Sequence, residues 1–146
     1  MKDGNPVSPI GTSPVRADAL DKVSGTQRYT GDLHIPGMLH SALVTSPHAH
    51  ARIINIYKKK ALDLPGVRGV ITGEDIPVRL GLYLGDKYPL ALGVARYFGE
   101  PVAAVVADRE DQALAAARLV QVEYEELPVV RSPLEALQAD APILHP

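Results

Sequence analysis

The sequence contains no cysteine, and that absence removes disulfide scaffolds, thiolate nucleophiles, zinc ribbons and cysteine-ligated iron–sulfur clusters together. It suits a reducing compartment, and the cytoplasm is the expected location. Tryptophan is also missing and phenylalanine occurs once, too little stacking surface for a single-stranded nucleic-acid binder. Neither sign of charge prevails: 15 Lys and Arg face 17 Asp and Glu, for a net charge of −2. The signs are interspersed, so there is no basic stripe for phosphates and no acidic tail. No apolar run approaches the length of a membrane span, and the opening MKDGNPVSPIGTSPV lacks the apolar core of a secretory signal. The nucleophile elbow G-x-S-x-G, the P-loop, the dinucleotide fingerprint and H-E-x-x-H are absent too, which leaves standard hydrolase, nucleotide and zincin chemistry without working parts.

What is present fits one domain. A chain of 146 residues buries roughly two-thirds of its unfolded surface around a single core. Residues 1–15, rich in proline and glycine, read as a flexible N-terminal arm, and residues 16–146 as the folded domain. MLHSALVTS (38–46), after the turn residues Pro36 and Gly37, and RIINIY (52–57) are strand candidates. KKKALDLPG (58–66) reads as a short helical turn stopped by Pro65-Gly66, and VRGVIT (67–72) as a further strand. Val78 to Ala95 has no clear period and reads as a long loop with room for one short strand.

The strongest pattern lies in residues 100–128. PVAAVVA (101–107) is a continuous apolar run fit for a buried strand. Asp108, with Asp111 three residues on, offers a variant capping box to a helix. That helix sets Ala113, Ala116, Ala117 and Val120 on one face, small enough for close approach to a sheet. VQVEYEE (120–126) then alternates as a strand. The expectation is an α+β fold whose mixed sheet includes a βαβ unit at about residues 101–126. Ser132 and Glu135 have capping-box spacing for a last short helix.

Candidate chemistry is thin. In SPHAHARI (46–53) His48 and His50 stand at i and i+2, and with Asp32 or His34 they could supply three metal ligands if the segment were extended. The weightier reading is a histidine pair fixing a bend. Glu100, at the foot of the buried strand, is a candidate acid or base, though a residue satisfying turn amides before Pro101 explains it better. Asp21-Lys22 and Glu123 to Glu126 read as solvated charge clusters.

Five runs in fixed order carry a resemblance. They are KVSGTQRYTGDLHIPGMLHSAL (22–43), SPHAHARI (46–53), LPGVRGVITGEDIP (64–77), RYFGEPVAAVVA (96–107) and the Ala113-to-Pro128 pattern A-x-x-A-A-R-L-V-x-V-x-Y-E-E-L-P. Together these residues resemble the N-terminal α/β-hammerhead domain of the molybdopterin-binding large subunit in the xanthine dehydrogenase, aldehyde oxidase and carbon monoxide dehydrogenase family. The resemblance covers about residues 16–146, and it lowers the metal reading of the histidines. Tyr57 and Lys58-Lys59-Lys60 depart from the Asp-x-Ser-like turn of the family.

For the intact enzyme the resemblance implies oxidative hydroxylation of purine or aldehyde-type substrates, or carbon monoxide oxidation, on a molybdenum held by molybdopterin. Electrons would leave through iron–sulfur clusters to FAD on partner domains or subunits. The family's cofactor-binding and catalytic loops lie in later domains, so no catalytic, cofactor-binding or metal residue is assigned within this chain. A fragment of a longer subunit is the expected origin, in preference to a separate small subunit. The implied role is mechanical: to pack on the remaining molybdopterin-binding domains and help dock the iron–sulfur partner, with residues 24–37 and 78–99 as candidate surfaces. The competing expectation is an autonomous small metal- or ligand-binding module using His48 and His50.

Overall fold

The computed structural model describes residues 10–11, 13–83 and 85–145. Most of the arm expected over residues 1–15 lies outside the described residues. The chain divides into two compact units, residues 1–37 and 38–146.

In the first unit, helix α1 (Ala19–Ser24) ends at Gly25, whose φ of 72° permits the left-handed turn that closes the helix. The carbonyl of Asp21 then accepts from both Thr26 and Gln27 amides at 3.0 Å. A single 3₁₀ turn, Thr30–Asp32, follows, with the Asp32 carboxylate accepting from the Tyr29 amide at 2.9 Å. Neither element has a buried residue.

The second unit holds two three-stranded sheets. Strands β1 (His40–Thr45), β5 (Pro101–Ala107) and β3 (Val67–Thr72) form one in the order β1-β5-β3. Strands β4 (Val94–Ala95), β2 (Ala51–Tyr57) and β6 (Gln121–Glu126) form the other in the order β4-β2-β6. The helices are α2 (Lys59–Leu62), α3 (Glu110–Ala117) and α4 (Pro133–Ala136).

The strand positions and the α+β class agree with the sequence reading, but the mixed sheet and its βαβ unit do not. Every pairing between the strands is antiparallel. Both edges of β5 are filled, by β1 and β3, so β6 cannot lie beside it as a βαβ unit would need, and it pairs with β2 in the other sheet. The strand–helix–strand order is therefore a crossover between sheets, which frees the short α3 from spanning a parallel connection.

Capping by Asp108 and Asp111 is likewise corrected. Helix α3 is entered through Arg109, in extended conformation and with no side-chain cap. Asp108, just past the end of β5, instead accepts two bonds from the Arg68 guanidinium of β3, at 2.6 and 2.9 Å. A bidentate pair with a planar cation is stronger than a bond to a neutral amide, so the carboxylate goes to the arginine. Asp111 is taken by Arg109 in the same way. Ser132 does cap α4, accepting from the Glu135 amide at 3.2 Å.

The core follows from small residues. Ala113 and Ala116 of α3 are fully buried against Ala42 and Ala107 on one side, and Ala61, Val105 and Val120 on the other. A further cluster of Ala91, Ala95 and Val102, joined by Val44, Ile53, Val122 and Tyr124, packs one sheet on the other. A bulge between Ile53 and Asn55 makes this possible. Ile53 and Ile56 are three residues apart and would face opposite ways in a regular strand; the extra residue turns both inward and leaves Ile54 outside.

Candidate functional site

The link from β1 to β2, where the chain passes from one sheet to the other, runs through SPHAH, and here the buried polar groups gather. Ser46 is fully buried. Its hydroxyl accepts from the His48 amide and donates to the His48 carbonyl, both at 3.1 Å, closing a serine turn. Its amide donates to the Glu100 carbonyl at 2.9 Å and its carbonyl accepts from Gly99 at 2.8 Å. The segment is a bend rather than an extended strand, so the same-face geometry needed for a His-x-His ligand pair does not arise.

Each histidine has another use. His48 packs its ring against Tyr124, with centroids 4.9 Å apart, and brings Nδ1 within 3.4 Å of the Glu126 carboxylate. His50 is buried and its Nδ1 lies 2.6 Å from the Pro128 carbonyl oxygen, which can only accept, so the ring donates there. The His50 carbonyl in turn accepts from Leu127 at 3.0 Å. The Tyr124 hydroxyl is buried without a well-formed hydrogen bond. Burial raises its pKa above the usual phenol value, against a smaller opposing influence of Ser46.

Glu100 is the turn residue the sequence favoured. Its carboxylate accepts from the Arg96 amide four residues back, and its own amide donates to the Tyr97 carbonyl at 3.2 Å. The charge clusters are surface pairs: Tyr57 donates to Glu123 at 2.9 Å, Arg52 lies 3.4 Å from Glu125, and Lys60 donates to Gln121 at 3.3 Å. Tyr57 thus reaches across the β2–β6 ladder, and Lys60 reaches β6 from α2. Lys22 pairs with Asp18 at 2.7 Å. Sequence reasoning missed Arg96, whose guanidinium holds the Val94 and Leu144 carbonyls at 3.3 and 2.8 Å; no local pattern announces a contact 48 residues away.

The described residues hold no ready-made cluster of metal-ligating side chains. Among them no group of three His, Asp or Glu side chains could hold an ion. Asp32 and His34, in the first unit, line an open groove of about 620 Å³ with Gly25 to Arg28. The cleft over the β2 bulge, between Ile53, Thr72 and Leu92, has a volume of about 110 Å³, below the several hundred Å³ usual for a small-molecule pocket. Among the described residues no helix is long and apolar enough to cross a membrane.

Two antiparallel three-stranded sheets joined through a buried polar bend define an α+β domain. Residues 24–128 match the profile of the aldehyde oxidase and xanthine dehydrogenase a/b hammerhead domain. The chain belongs to this family. It is 42% identical over 135 residues to a probable xanthine dehydrogenase subunit of Bacillus subtilis (strain 168), a match covering 91% of this chain and 18% of the relative. It is 39% identical over 143 residues to the xanthine dehydrogenase molybdenum-binding subunit of Escherichia coli O157:H7, covering 90% and 19%. The structure superposes on carbon monoxide dehydrogenase of Oligotropha carboxidovorans with a TM-score of 0.82 and 38% identity, covering 90% of this chain and 17% of that one. The chain therefore spans about one-fifth of the length of these relatives.

Proposed function

We propose that this chain is the structural hammerhead domain of the molybdenum-binding large subunit of a xanthine dehydrogenase-type oxidoreductase working in the cytoplasm. The domain, taken as residues 16–146 preceded by an arm at 1–15, carries out no chemistry itself. It packs on the remaining molybdopterin-binding domains and supports an iron–sulfur subunit or domain, beyond which an FAD subunit or domain takes the electrons. The observation that carries this reading is the pairing of a hammerhead fold with polar groups already engaged: His50, Ser46 and Glu100 all serve the bend and the turn beside it.

The parent reaction is the oxidation of a purine, an aldehyde or carbon monoxide. Relatives bearing xanthine and carbon monoxide names share this domain at similar identity, which supports placing substrate choice outside it. The test is to purify the 146-residue chain, assay metals and turnover, then graft it in place of the matching stretch of the Bacillus subtilis relative. The chain alone should hold no stoichiometric metal and oxidise no xanthine or aldehyde, and the graft should load molybdenum. Stoichiometric zinc, nickel or copper released by His50→Ala would favour the autonomous metal-binding module instead.

A further inference from the structure

Beside the polar bend the chain displays an exposed aromatic pair. Tyr97 and Phe98 form the apex of the turn from Arg96 to Glu100, 55% and 74% exposed, and Phe98 is the sequence's sole phenylalanine. The apex is held from several directions. The Arg96 amide donates to the Glu100 carboxylate, Gly99 donates to the Ser46 carbonyl, and Gly99 adopts a φ of 86° that other residues resist. The Arg96 guanidinium ties the base of the turn to Val94 and Leu144. A backbone so fixed has little freedom left to lose on association, and fixed aromatic side chains are the usual anchors of protein interfaces. Leu82 and Tyr83, earlier in the same connection, are almost fully exposed as well.

We infer that the Tyr97-Phe98 apex is an anchor by which this domain docks on the rest of the large subunit, seating the two rings in an apolar pocket there. The inference rests on the proposed function and names the surface that function would use. Two observations select the occupant. More than four-fifths of each curated relative's length lies outside the stretch that matches this chain. The last described residues are also held at the base of this turn, Leu144 by the Arg96 guanidinium, with His145 lying 3.0 Å from Asp86 of the long loop. In a subunit of the relatives' length the remaining polypeptide is covalently joined to this domain, and a tethered neighbour meets the two rings at high effective concentration. An apex of two residues is too small to hold two free copies together, since stable interfaces bury on the order of 1,000 Å² or more.

The test uses the graft into the Bacillus subtilis relative as an assembled enzyme, with the 146-residue chain as reference. Hydroxyl-radical labelling reads the accessibility of Tyr97 and Phe98, and limited proteolysis reads release of the domain. Labelling should fall sharply in the assembled enzyme. The Tyr97→Ser/Phe98→Ser pair should speed release about tenfold or more, without changing the Tm of the 146-residue chain. Leu134→Ser, an equally exposed apolar position on α4, should not speed release. Unchanged labelling in a graft that assembles and loads molybdenum overturns the docking inference and leaves the proposed function standing. Self-association of the 146-residue chain that the double substitution abolishes, with no effect in the graft, assigns the rings to a second copy and overturns it too. A graft that never assembles or loads molybdenum brings down the proposed function and this inference with it.

Discussion

The ring of His50 donates from Nδ1 to the carbonyl oxygen of Pro128 across 2.6 Å and 78 residues of sequence. This bond pins the chain leaving β6 to the start of β2. Losing the ring donor removes a part-buried hydrogen bond, at a cost of about 0.5–1.5 kcal/mol. His50→Ala should therefore lower the urea midpoint of the chain, and His50→Gln, which can offer an amide donor, should recover part of the loss. A structural role requires that neither substitution change the metal content measured by elemental analysis.

Glu100 gives the parallel test for acid–base chemistry. Its carboxylate accepts from the Arg96 amide, a task the carbonyl of glutamine also performs. Glu100→Gln should leave urea stability nearly unchanged and, in the grafted enzyme, leave kcat intact. Glu100→Ala removes the acceptor from a partly buried amide and should cost about 1–2 kcal/mol. A graft whose kcat collapses with glutamine while its stability holds would make Glu100 a proton carrier and contradict the turn role.

Strands β3 and β5 are legible to the residue because their apolar runs are closed by glycine and proline, and the alanine face of α3 is legible from its spacing. Pairing partners are not. PVAAVVA states that its strand is buried but not that both edges are occupied, and the crossover between sheets follows only from that occupancy. Asp108 misleads because local spacing shows a cap, whereas the competing Arg68 is 40 residues away. At the candidate site the bend signal of Ser46-Pro47 marks the histidines as fold-fixing, yet their partners Glu126 and Pro128 belong to the far end of β6 and the chain just beyond it.

Gly73 tests the close approach of two turns. A Cβ there would stand 2.5 Å from the Ala91 carbonyl oxygen and 2.9 Å from that of Leu90, both backbone atoms that cannot swing aside. Gly73→Ala should cost about 1–3 kcal/mol through forced backbone shifts, read as a lower urea midpoint. Gly69→Ala, in β3 with open space where the new methyl would go, is the control and should be tolerated.

Asp75 supplies the acid dependence. Its carboxylate accepts from the Thr72 amide at 2.7 Å and the Thr72 hydroxyl at 2.9 Å, with Lys58 at 3.7 Å. The amide bond, the hydroxyl bond and the nearby ammonium together hold its pKa below the usual carboxylate range, burial opposing them. A carboxyl whose native pKa is depressed binds fewer protons folded than unfolded, so its contribution is full above the unfolded pKa and fades as the pH falls through the native one. Asp75→Asn keeps an acceptor for Thr72 but has no proton to gain. The variant should therefore show a flatter decline of urea stability below the usual carboxylate range than the parent chain, while their difference stays constant near neutral pH. Parallel acid limbs for the two proteins would show that this turn carries no share of the acid sensitivity.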